Sequence, residues 1–280
     1  MTEGAGFRAA GVMGWPVAHS RSPLLHRYWL DRYGIAGAYL PLPVRPGQVE
    51  AALRGLAALG FAGCNVTVPH KQAALALVDA PDDLARRIGA VNLVVVRPDG
   101  TLLGRNTDAA GFLHNLRAQA PDWRAADGPA VVLGAGGAAR AVVASLAGAG
   151  VPDIRLLNRT HAHAEELAEA LGGPITVLNW ERRRSALEGA ALLVNTTVLG
   201  MHGQAPLDLD LAALPRAATV ADLVYVPLET PLLASARARG HAVVDGLGML
   251  LHQAVPSFEA WFGVRPEVTA ELRARVEATL

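Results

Sequence analysis

Lys71 is the residue of this chain whose type most directly suggests chemistry. It is the only lysine, and the other 24 of the 25 basic residues are arginines. An arginine keeps its proton at any workable pH, whereas a buried lysine amine can approach neutrality and exchange protons with a bound molecule. The alternative is an exposed side chain whose methylene groups lie along the surface. Lys71 is therefore a candidate proton exchanger that requires a substrate and a second reactant.

The elements before and after Lys71 alternate between strand and helix, a pattern that indicates a parallel or mostly parallel sheet. We predict strands at residues 8–13, 38–42, 61–66 and 91–96, a hairpin into residues 102–103, and helices at 22–33, 48–59, 82–88 and 108–118. Ser22 is predicted to cap the first helix, with Pro23 at its first helical position. Pro69 is predicted to close the strand 61–66. Lys71 would then lie at the carboxyl end of a strand, where open α/β sheets bind ligands.

A second candidate site is the glycine-rich turn Gly134-Ala135-Gly136-Gly137-Ala138, which follows an apolar strand and precedes a helix. This context is typical of the dinucleotide fingerprint, in which glycines allow a tight turn and the amides at the helix start hold a pyrophosphate. The alternative is an ordinary turn in a chain rich in alanine and glycine. The flanking strand and helix favour the nucleotide.

The next predicted strand ends at Asn158-Arg159-Thr160, about where NAD-binding domains place an acid that binds the ribose 2′-hydroxyl. No acid is present there, and Arg159 would suit the 2′-phosphate of NADP instead. The alternative is a solvated arginine beside a helix that Thr160 caps. The sequence therefore predicts NADP(H) as the cofactor.

The chain is long enough for two domains, and residues 121–129, rich in Pro, Asp and Gly, resemble a linker. After this linker we predict strands at 131–133, 154–157, 175–178, 192–195, 219–223 and 242–244, with helices at 138–148 and 161–171. The C-terminal helical stretches, 247–262 and 266–280, bring no strand and could return to the first domain. We predict a two-domain α/β fold: a mixed α/β substrate domain (1–108 and 245–280) and a Rossmann-like, doubly wound NADP domain (109–244).

The composition excludes several classes of protein. Hydrophobic residues make up 51% and charged residues 18%, and the formal net charge is zero, which argues against nucleic acid and anionic membranes as partners. Residues 1–10 lack the pattern of a signal peptide, and residues 130–151 contain Arg140 and a glycine turn, which do not suit a membrane helix. The single cysteine, Cys64, excludes an internal disulfide. We expect a cytoplasmic monomer or homodimer that binds small molecules.

Several segments, read in order, give the chain a resemblance to the shikimate dehydrogenase family. The matching segments are residues 14–23, 65–71, 89–92, 106–108, 134–138, 158–160, 195–197, 200–201 and 245–250, with Gln253. Each segment is a modest signal, whereas their shared order along almost the whole chain is specific. The resemblance implies a substrate domain built from both chain ends around a central NADP domain.

The resemblance also implies an activity, the reversible reduction of 3-dehydroshikimate to shikimate by NADPH in aromatic amino acid biosynthesis. Lys71 would exchange the proton of the reacting hydroxyl and Asp108 would bind beside it, because the hydroxyl proton must move as hydride is transferred. Asp108 could alternatively only cap its helix. No metal is expected, since the nine histidines show no metal-ligand spacing.

Further roles follow from the same resemblance. Ser20 and Ser22 would hold the substrate carboxylate at the positive end of a helix. Polar neutral groups would bind the ring hydroxyls: Thr67, Asn92, Gln253 and Tyr225. The cofactor would contact Gly134, Ala135, Gly136, Gly137, Ala138, Asn158, Arg159, Thr160, His163, Leu223, Gly246 and, less directly, Asp83. Asn92 could instead be a turn residue and Gln253 a residue of a helix surface.

The chain departs from the family pattern at three positions. His163 stands where the NADP motif usually has a second arginine, and a histidine is mostly neutral at pH 7 in its ordinary state. Leu93 and Arg105 replace residues beside the implied contacts. Two rival functions remain open, an NAD-dependent quinate/shikimate dehydrogenase and a regulator that senses NADP(H) without turnover. The second is disfavoured because a sensor does not need a proton exchanger such as Lys71.

Overall fold

The computed structural model describes residues 6–280, which form two compact units. The first unit contains the described part of Met1–Thr107 together with Gln253–Val276, and the second contains Asp108–His252 with Glu277–Leu280. The unit boundaries therefore fall at 107/108 and 252/253, whereas the sequence suggested 108/109 and 244/245. Of the segment tested for a signal peptide, residues 1–5 lie outside the described residues.

The first unit is built on a mixed six-stranded sheet. Its strands are β1 (Arg8–Gly14), β2 (Gly37–Pro43), β3 (Phe61–Val66), β4 (Ala80–Pro81), β5 (Leu93–Val96) and β6 (Leu102–Arg105), in the order β2-β1-β3-β5-β6-β4. β1 runs parallel to β2 and β3, whereas β5 is antiparallel to both β3 and β6. The parallel strands β1 and β3 therefore end at the same edge of the sheet, directly before Trp15 and Thr67.

Helices cover the first sheet and supply the core. They are α1 (Ser22–Arg32), α2 (Val49–Ala58), α3 (Lys71–Leu77), α4 (Asp83–Ile88), the end of α9 (Leu247–Phe262) and α10 (Ala270–Glu277). α2 buries Leu53 and Leu56 against Cys64 and Val66 of β3. Three elements differ from the prediction: α3 and the two-residue strand β4 were missed, and the predicted helix 266–280 is shortened to α10. Residues 71–77 contain mostly good helix formers, which could have indicated α3.

The second unit carries a parallel six-stranded sheet. Its strands are β7 (Ala130–Leu133), β8 (Ile154–Asn158), β9 (Ile175–Asn179), β10 (Leu192–Asn195), β11 (Thr219–Asp222) and β12 (Ala242–Val244), in the order β12-β11-β10-β7-β8-β9. The helices are α5 (Asp108–Gln119), α6 (Gly137–Ala149), α7 (His161–Leu171) and α8 (Pro231–Ala238). This is the doubly wound order, with its switch point between β7 and β10. The predicted α/β class and Rossmann-like sheet are confirmed, although α8 was missed.

In the centre of the second sheet, β7 is fully apolar and β10 is apolar up to Asn195, because both faces of the sheet are covered. Val131, Leu133, Leu157, Leu193 and Val220 are all buried in one core. Within residues 6–280, no helix combines the length and the apolar composition that a membrane crossing requires. The segment 130–151 consists of β7, a turn and α6, as the sequence predicted.

Candidate active site

Lys71 is fixed by backbone hydrogen bonds on both sides of the turn that follows β3. The amide of Thr67 donates to the carbonyl of Met13 (2.8 Å), and the amide of His70 donates to the carbonyl of Thr67 (2.9 Å). Lys71 then begins α3, and its carbonyl accepts from the amide of Val91 (2.9 Å). The half-buried Lys71 therefore projects from a rigid backbone at the carboxyl end of the sheet.

The two serines lie at the start of α1, but their roles differ from the prediction. Ser22 is the first helical residue rather than the cap, and Arg21 occupies the cap position but makes no side-chain cap hydrogen bond. The hydroxyl of Ser20 accepts from the amide of Ser22 (3.3 Å), so Ser20 is the serine that satisfies a free amide of the helix. The prediction that Ser22 caps this helix was therefore wrong. Both serines remain at a helix start suited to an anion.

Asn92 is buried and fixed by its neighbours. Its Nδ2 donates to the hydroxyl of Thr107 (3.0 Å), and its Oδ1 accepts from the Thr107 amide (2.7 Å). Its carbonyl accepts from the amide of Val66 (2.9 Å) and from Nδ2 of Asn65 (3.0 Å). Asn92 is thus a residue of a buried polar network rather than a simple turn residue.

Asn65 is the centre of that network. Its Oδ1 accepts from the hydroxyl of Tyr39 (2.7 Å), and its Nδ2 also donates to the hydroxyl of Ser257 (2.9 Å). Ser257 lies one turn after Gln253 on α9, and both residues are buried. Asn65 therefore links β3 to Tyr39 of β2, to Asn92 and to the helix that carries Gln253.

Tyr39 is held in turn by a stacked histidine. The rings of His26 and Tyr39 are 3.9 Å apart and nearly parallel, and neither ring nitrogen of His26 has a partner among the described residues. Complete burial lowers the pKa of His26 to about 3, so its ring is neutral. Burial also raises the pKa of Tyr39 well above its ordinary value, so its hydroxyl keeps the proton that it donates to Asn65.

The glycine turn of the second unit lies at the switch point of the parallel sheet. Gly134 has φ +110°, and a Cβ there would lie 2.5 Å from Oγ1 of Thr196, so this position requires glycine. A Cβ at Gly136 or Gly137 would meet nothing within 4 Å. α6 begins at Gly137 without a side-chain cap, which leaves its first amides available to an anion. Residues 134–138 therefore fit a dinucleotide pyrophosphate.

The end of β8 offers a cation and no acid. Arg159, Thr160 and His163 are exposed, while Nδ2 of Asn158 donates to the carbonyl of Thr160 (2.8 Å) and shapes the turn. Thr160 occupies the cap position of α7, but its side chain makes no cap bond, contrary to the predicted alternative. This arrangement suits a ribose that carries a 2′-phosphate.

The loops after β11 and β12 approach each other closely. A Cβ on Gly246 would lie 2.2 Å from the carbonyl oxygen of Leu223, so the two predicted nicotinamide neighbours touch through their backbones. The loop after β11 also carries the half-buried Tyr225. The amide of Leu223 donates to the carbonyl of Asn195 (2.9 Å), which extends the sheet pairing into this loop.

A buried carboxylate supports the same loop. Oδ1 of Asp222 accepts from Nδ2 of Asn195 (2.9 Å) and from the amide of Val224 (3.0 Å), and its Oδ2 accepts from the hydroxyl of Thr230 (2.7 Å). Burial raises the pKa of Asp222 to about 6, although these three donors act to lower it. Sequence reasoning had assigned no role to Asp222, Asn195, Asn65 or Tyr39, although Asn65 and Asn195 lie within the matching family segments and Asp222 and Tyr39 lie within predicted strands.

The remaining predicted residues divide between the units. Asp108 is buried, is the first residue of α5 and belongs to the second unit. Asp83 is exposed in the first turn of α4 and belongs to the first unit. Of the predicted substrate contacts, the first unit carries Ser20, Ser22, Thr67, Lys71, Asn92 and Gln253, and the second carries Asp108 and Tyr225; of the predicted cofactor contacts, Asp83 lies in the first unit and the others lie in the second. Within residues 6–280, no group of three acidic, histidine or cysteine side chains is arranged to hold a metal.

Comparison with protein families gives matches along most of the chain. Residues 12–94 match the shikimate dehydrogenase substrate binding domain, residues 118–199 match the shikimate / quinate 5-dehydrogenase family, and residues 246–274 match the shikimate 5′-dehydrogenase C-terminal domain. The matches thus include the segments around Lys71, the glycine turn and Gln253.

Individual relatives are similar over nearly their whole length. The shikimate dehydrogenase (NADP(+)) of Paramagnetospirillum magneticum is 66% identical over 96% of this chain and 98% of its own. The shikimate 5-dehydrogenase of Thermus thermophilus, solved with NADP(H) and shikimate, is 38% identical with a TM-score of 0.86, covering 98% of this chain and 100% of its own. The quinate dehydrogenase of Corynebacterium glutamicum, solved with NAD, is 31% identical with a TM-score of 0.89, covering 98% and 99%. The chain belongs to the shikimate dehydrogenase family.

Proposed function

We propose that this protein is an NADP-dependent shikimate dehydrogenase, which reduces 3-dehydroshikimate reversibly to shikimate in aromatic amino acid biosynthesis. The observation that carries the proposal is the 66% identity to a relative of that name over 96% of the chain. The site geometry supports it independently. The first unit carries the only lysine and most of the polar neutral residues proposed to bind the substrate, and the second unit carries the glycine turn at the uncapped start of α6 and Arg159 after β8.

In this proposal the first unit binds and orients the substrate. Ser20 and Ser22 hold its carboxylate at the start of α1, while Thr67, Asn92 and Gln253 bind ring hydroxyls. Tyr225, which belongs to the second unit, is proposed as a further contact. Asn92 suits this role because its side chain is already fixed by Thr107 and cannot rotate freely. The fixed network reduces the entropy that is lost on binding.

Lys71 provides the proton in the reducing direction. When bound, NADPH supplies hydride to the carbonyl carbon, and the carbonyl oxygen must then gain a proton to become a hydroxyl. The Lys71 ammonium donates that proton and takes it back in the oxidising direction. Asp108 is proposed to bind the same region of the substrate and to orient the reacting hydroxyl.

The second unit would hold the cofactor. The amides at the start of α6 bind the pyrophosphate, and Asn158, Arg159, Thr160 and His163 surround the ribose phosphate. Leu223 and Gly246 border the nicotinamide. Asp83, which belongs to the first unit, is proposed as a less direct contact. The exposed guanidinium of Arg159 is the feature that favours NADP over NAD.

Replacing Lys71 tests the proposed reaction. Shikimate-dependent formation of NADPH should be readily measurable for the parent and should fall by about 100-fold or more in Lys71→Ala, since general acid–base catalysis contributes that much. Lys71→Arg should fall similarly, because an arginine keeps the charge but does not release its proton.

Binding and stability measurements provide the controls. Both variants should keep the parent melting temperature and NADPH affinity. A folded parent with no shikimate-dependent activity would instead favour a regulator that senses NADP(H), whereas full activity in Lys71→Ala would refute the role of Lys71.

A second candidate is an NAD-dependent quinate/shikimate dehydrogenase, favoured by the similarity to the quinate dehydrogenase solved with NAD. Turnover with each cofactor on each substrate separates the two. Higher kcat/KM for quinate with NAD would overturn the first proposal.

The location and assembly are also proposals. The buried Cys64 is the only cysteine, and a chain without disulfides suits a reducing compartment such as the cytoplasm. We propose a cytoplasmic protein that acts as a monomer or homodimer on small molecules.

A further inference from the structure

The strand beside β8 ends next to the proposed 2′-phosphate position. β8 and β9 are parallel and pair residue by residue up to Asn158 and Asn179. Neighbouring strands lie about 4.8 Å apart, so the residues that follow these two asparagines leave the sheet side by side. Arg159 follows Asn158, and a short 3₁₀ turn, Trp180–Arg183, follows Asn179. A side chain from this turn can therefore approach the same ligand as Arg159.

The helix after Arg159 supplies little fixed positive charge. Its first turn carries His161 and His163 where a permanent cation would complement a phosphate monoester, which bears nearly two negative charges at neutral pH. Nε2 of His161 lies 3.4 Å from Oε1 of Glu165 and is directed toward that carboxylate. Arg159 alone leaves part of the 2′-phosphate charge uncompensated.

Three consecutive arginines occur at the end of β9, and two of them are already paired. Arg183 binds Asp208 through Nη2 (3.2 Å) and stacks over the ring of Trp180, while Arg184 binds the other carboxylate oxygen of Asp208 (3.4 Å). Arg182 is exposed and has no ion pair or hydrogen-bonded side chain among residues 6–280. Of the three arginines, Arg182 is the one whose guanidinium is not committed to another group.

We propose that Arg182 is a specificity-determining residue of the cofactor site, which supplies the second positive charge for the 2′-phosphate of NADP(H). This inference rests on the proposed function and deepens it, because it assigns a second fixed positive charge to the turn that follows the neighbouring strand, β9. Arg159 and Arg182 would approach the phosphate from the ends of β8 and β9. Guanidinium groups suit this role because each can donate two parallel hydrogen bonds to phosphate oxygens.

The test compares two cofactor fragments that differ only in the 2′-phosphate, adenosine 2′,5′-bisphosphate and 5′-AMP. Calorimetric titration of the parent, Arg159→Gln, Arg182→Gln and Arg184→Gln measures binding without turnover. Arg182→Gln should weaken the bisphosphate about 5- to 10-fold, as expected for one exposed charge-assisted contact, and leave 5′-AMP within about twofold. Arg184→Gln is the matched control, because it removes the arginine that directly follows this turn and is bound to Asp208.

The outcomes separate this inference from the proposed function. A loss of bisphosphate affinity in Arg182→Gln but not in Arg184→Gln, with unchanged melting temperatures, supports Arg182. If Arg159→Gln weakens the bisphosphate while Arg182→Gln and Arg184→Gln both match the parent, NADP preference stands and the role of Arg182 is refuted. If the parent binds both fragments equally, the preference for NADP fails and this inference fails with it.

Discussion

At the scale of single residues, the hydrogen bonds of Asn65 explain how the proposed substrate contacts of the first unit can be held in fixed positions. Its side-chain amide makes three buried hydrogen bonds, to Tyr39, Ser257 and the carbonyl of Asn92. A fully satisfied buried network favours one arrangement, since every alternative leaves a polar group without a partner. The proposed contacts Thr67, Asn92 and Gln253 lie within two to four residues of a member of this network or belong to it.

The Tyr39→Phe variant tests that explanation. It should retain the stack on His26 but leave Oδ1 of Asn65 without its donor, which costs about 1–3 kcal/mol of unfolding free energy. We expect the KM for shikimate to rise several-fold, because Asn65 can then shift and no longer fixes the positions of Asn92 and α9. The KM for NADP should stay near the parent value. Steady-state kinetics and urea unfolding measure the two effects.

Tyr28→Phe is the matched control for this variant. The Tyr28 hydroxyl bonds Thr269 and Glu271 in the same unit and makes no contact with Asn65. It should lower stability without changing the KM for shikimate. Equal KM values in the two variants would show that the network serves stability alone.

At the scale of elements, the carboxyl ends of β10 and β11 are held together by Asp222. This side chain accepts from Asn195 at the end of β10 and from Thr230, which also caps α8 by accepting from the amide of Leu233 (3.3 Å). Asp222 thereby ties two strands and a helix to the loop that carries Leu223 and Tyr225. Loops shaped by buried side chains can present their residues to a ligand without first becoming ordered.

The raised pKa of Asp222 predicts a specific pH dependence of stability. Its folded pKa is about 6, against an ordinary value of about 3.9 in the unfolded chain, so the unfolded state loses this proton first. The stability contributed by the protonated carboxyl is therefore lost as pH rises from about 4 to 6. Relative to the parent, Asp222→Asn should gain up to about 3 kcal/mol of unfolding free energy between pH 4 and pH 7.

Urea unfolding at several pH values gives this difference directly. Asp99→Asn is a control of opposite sign, because hydrogen bonds from Thr101 lower the pKa of Asp99. Its ionised form stabilises the fold above the ordinary pKa, so this variant should lose stability relative to the parent as pH rises. A pH-independent difference between Asp222→Asn and the parent would contradict the raised pKa.

At the scale of the whole molecule, the two ligands are assigned to different units. The first unit holds Ser20, Ser22 and Lys71, and the second holds the glycine turn and Arg159. NADP should therefore slow amide exchange in residues 133–140 and 158–163, and shikimate should slow it in residues 20–22 and 65–71. At 100 times the dissociation constant, ligand stabilises the bound state by about 2.7 kcal/mol, which slows exchange by about 100-fold where opening abolishes binding.

Hydrogen exchange with mass spectrometry checks this assignment. If NADP slows amide exchange around Lys71 but not at residues 133–140, the assignment of NADP to the second unit is contradicted. Lys71→Ala should preserve the NADP pattern, since the glycine turn does not depend on the lysine.

Much of the fold could be predicted because local signals were strong. The glycine turn, the apolar strand 130–133 and the helix after it follow from residue types in one short segment, and the family and fold class are confirmed. Where the local signals were weaker, the predictions were wrong or incomplete. α8 was missed although Thr230-Pro231 is a good helix start, and Ser22 was mistaken for a cap. The boundary near residue 252 was not readable because it falls inside α9, where the helical pattern is continuous.

The sequence by itself determined the chemistry that this protein can perform: one lysine, serines at a helix start, a glycine turn and an arginine where an acid would select NAD. These are properties of residue type and local spacing. Only the tertiary structure decided which buried groups fix these parts of the chain in position. Tyr39, Asn65 and Ser257 meet across up to 218 residues of sequence, and Asp222, Asn195 and Thr230 meet across shorter spans. Hydrogen bonds between distant residues depend on sheet order and helix packing, which no local pattern specifies.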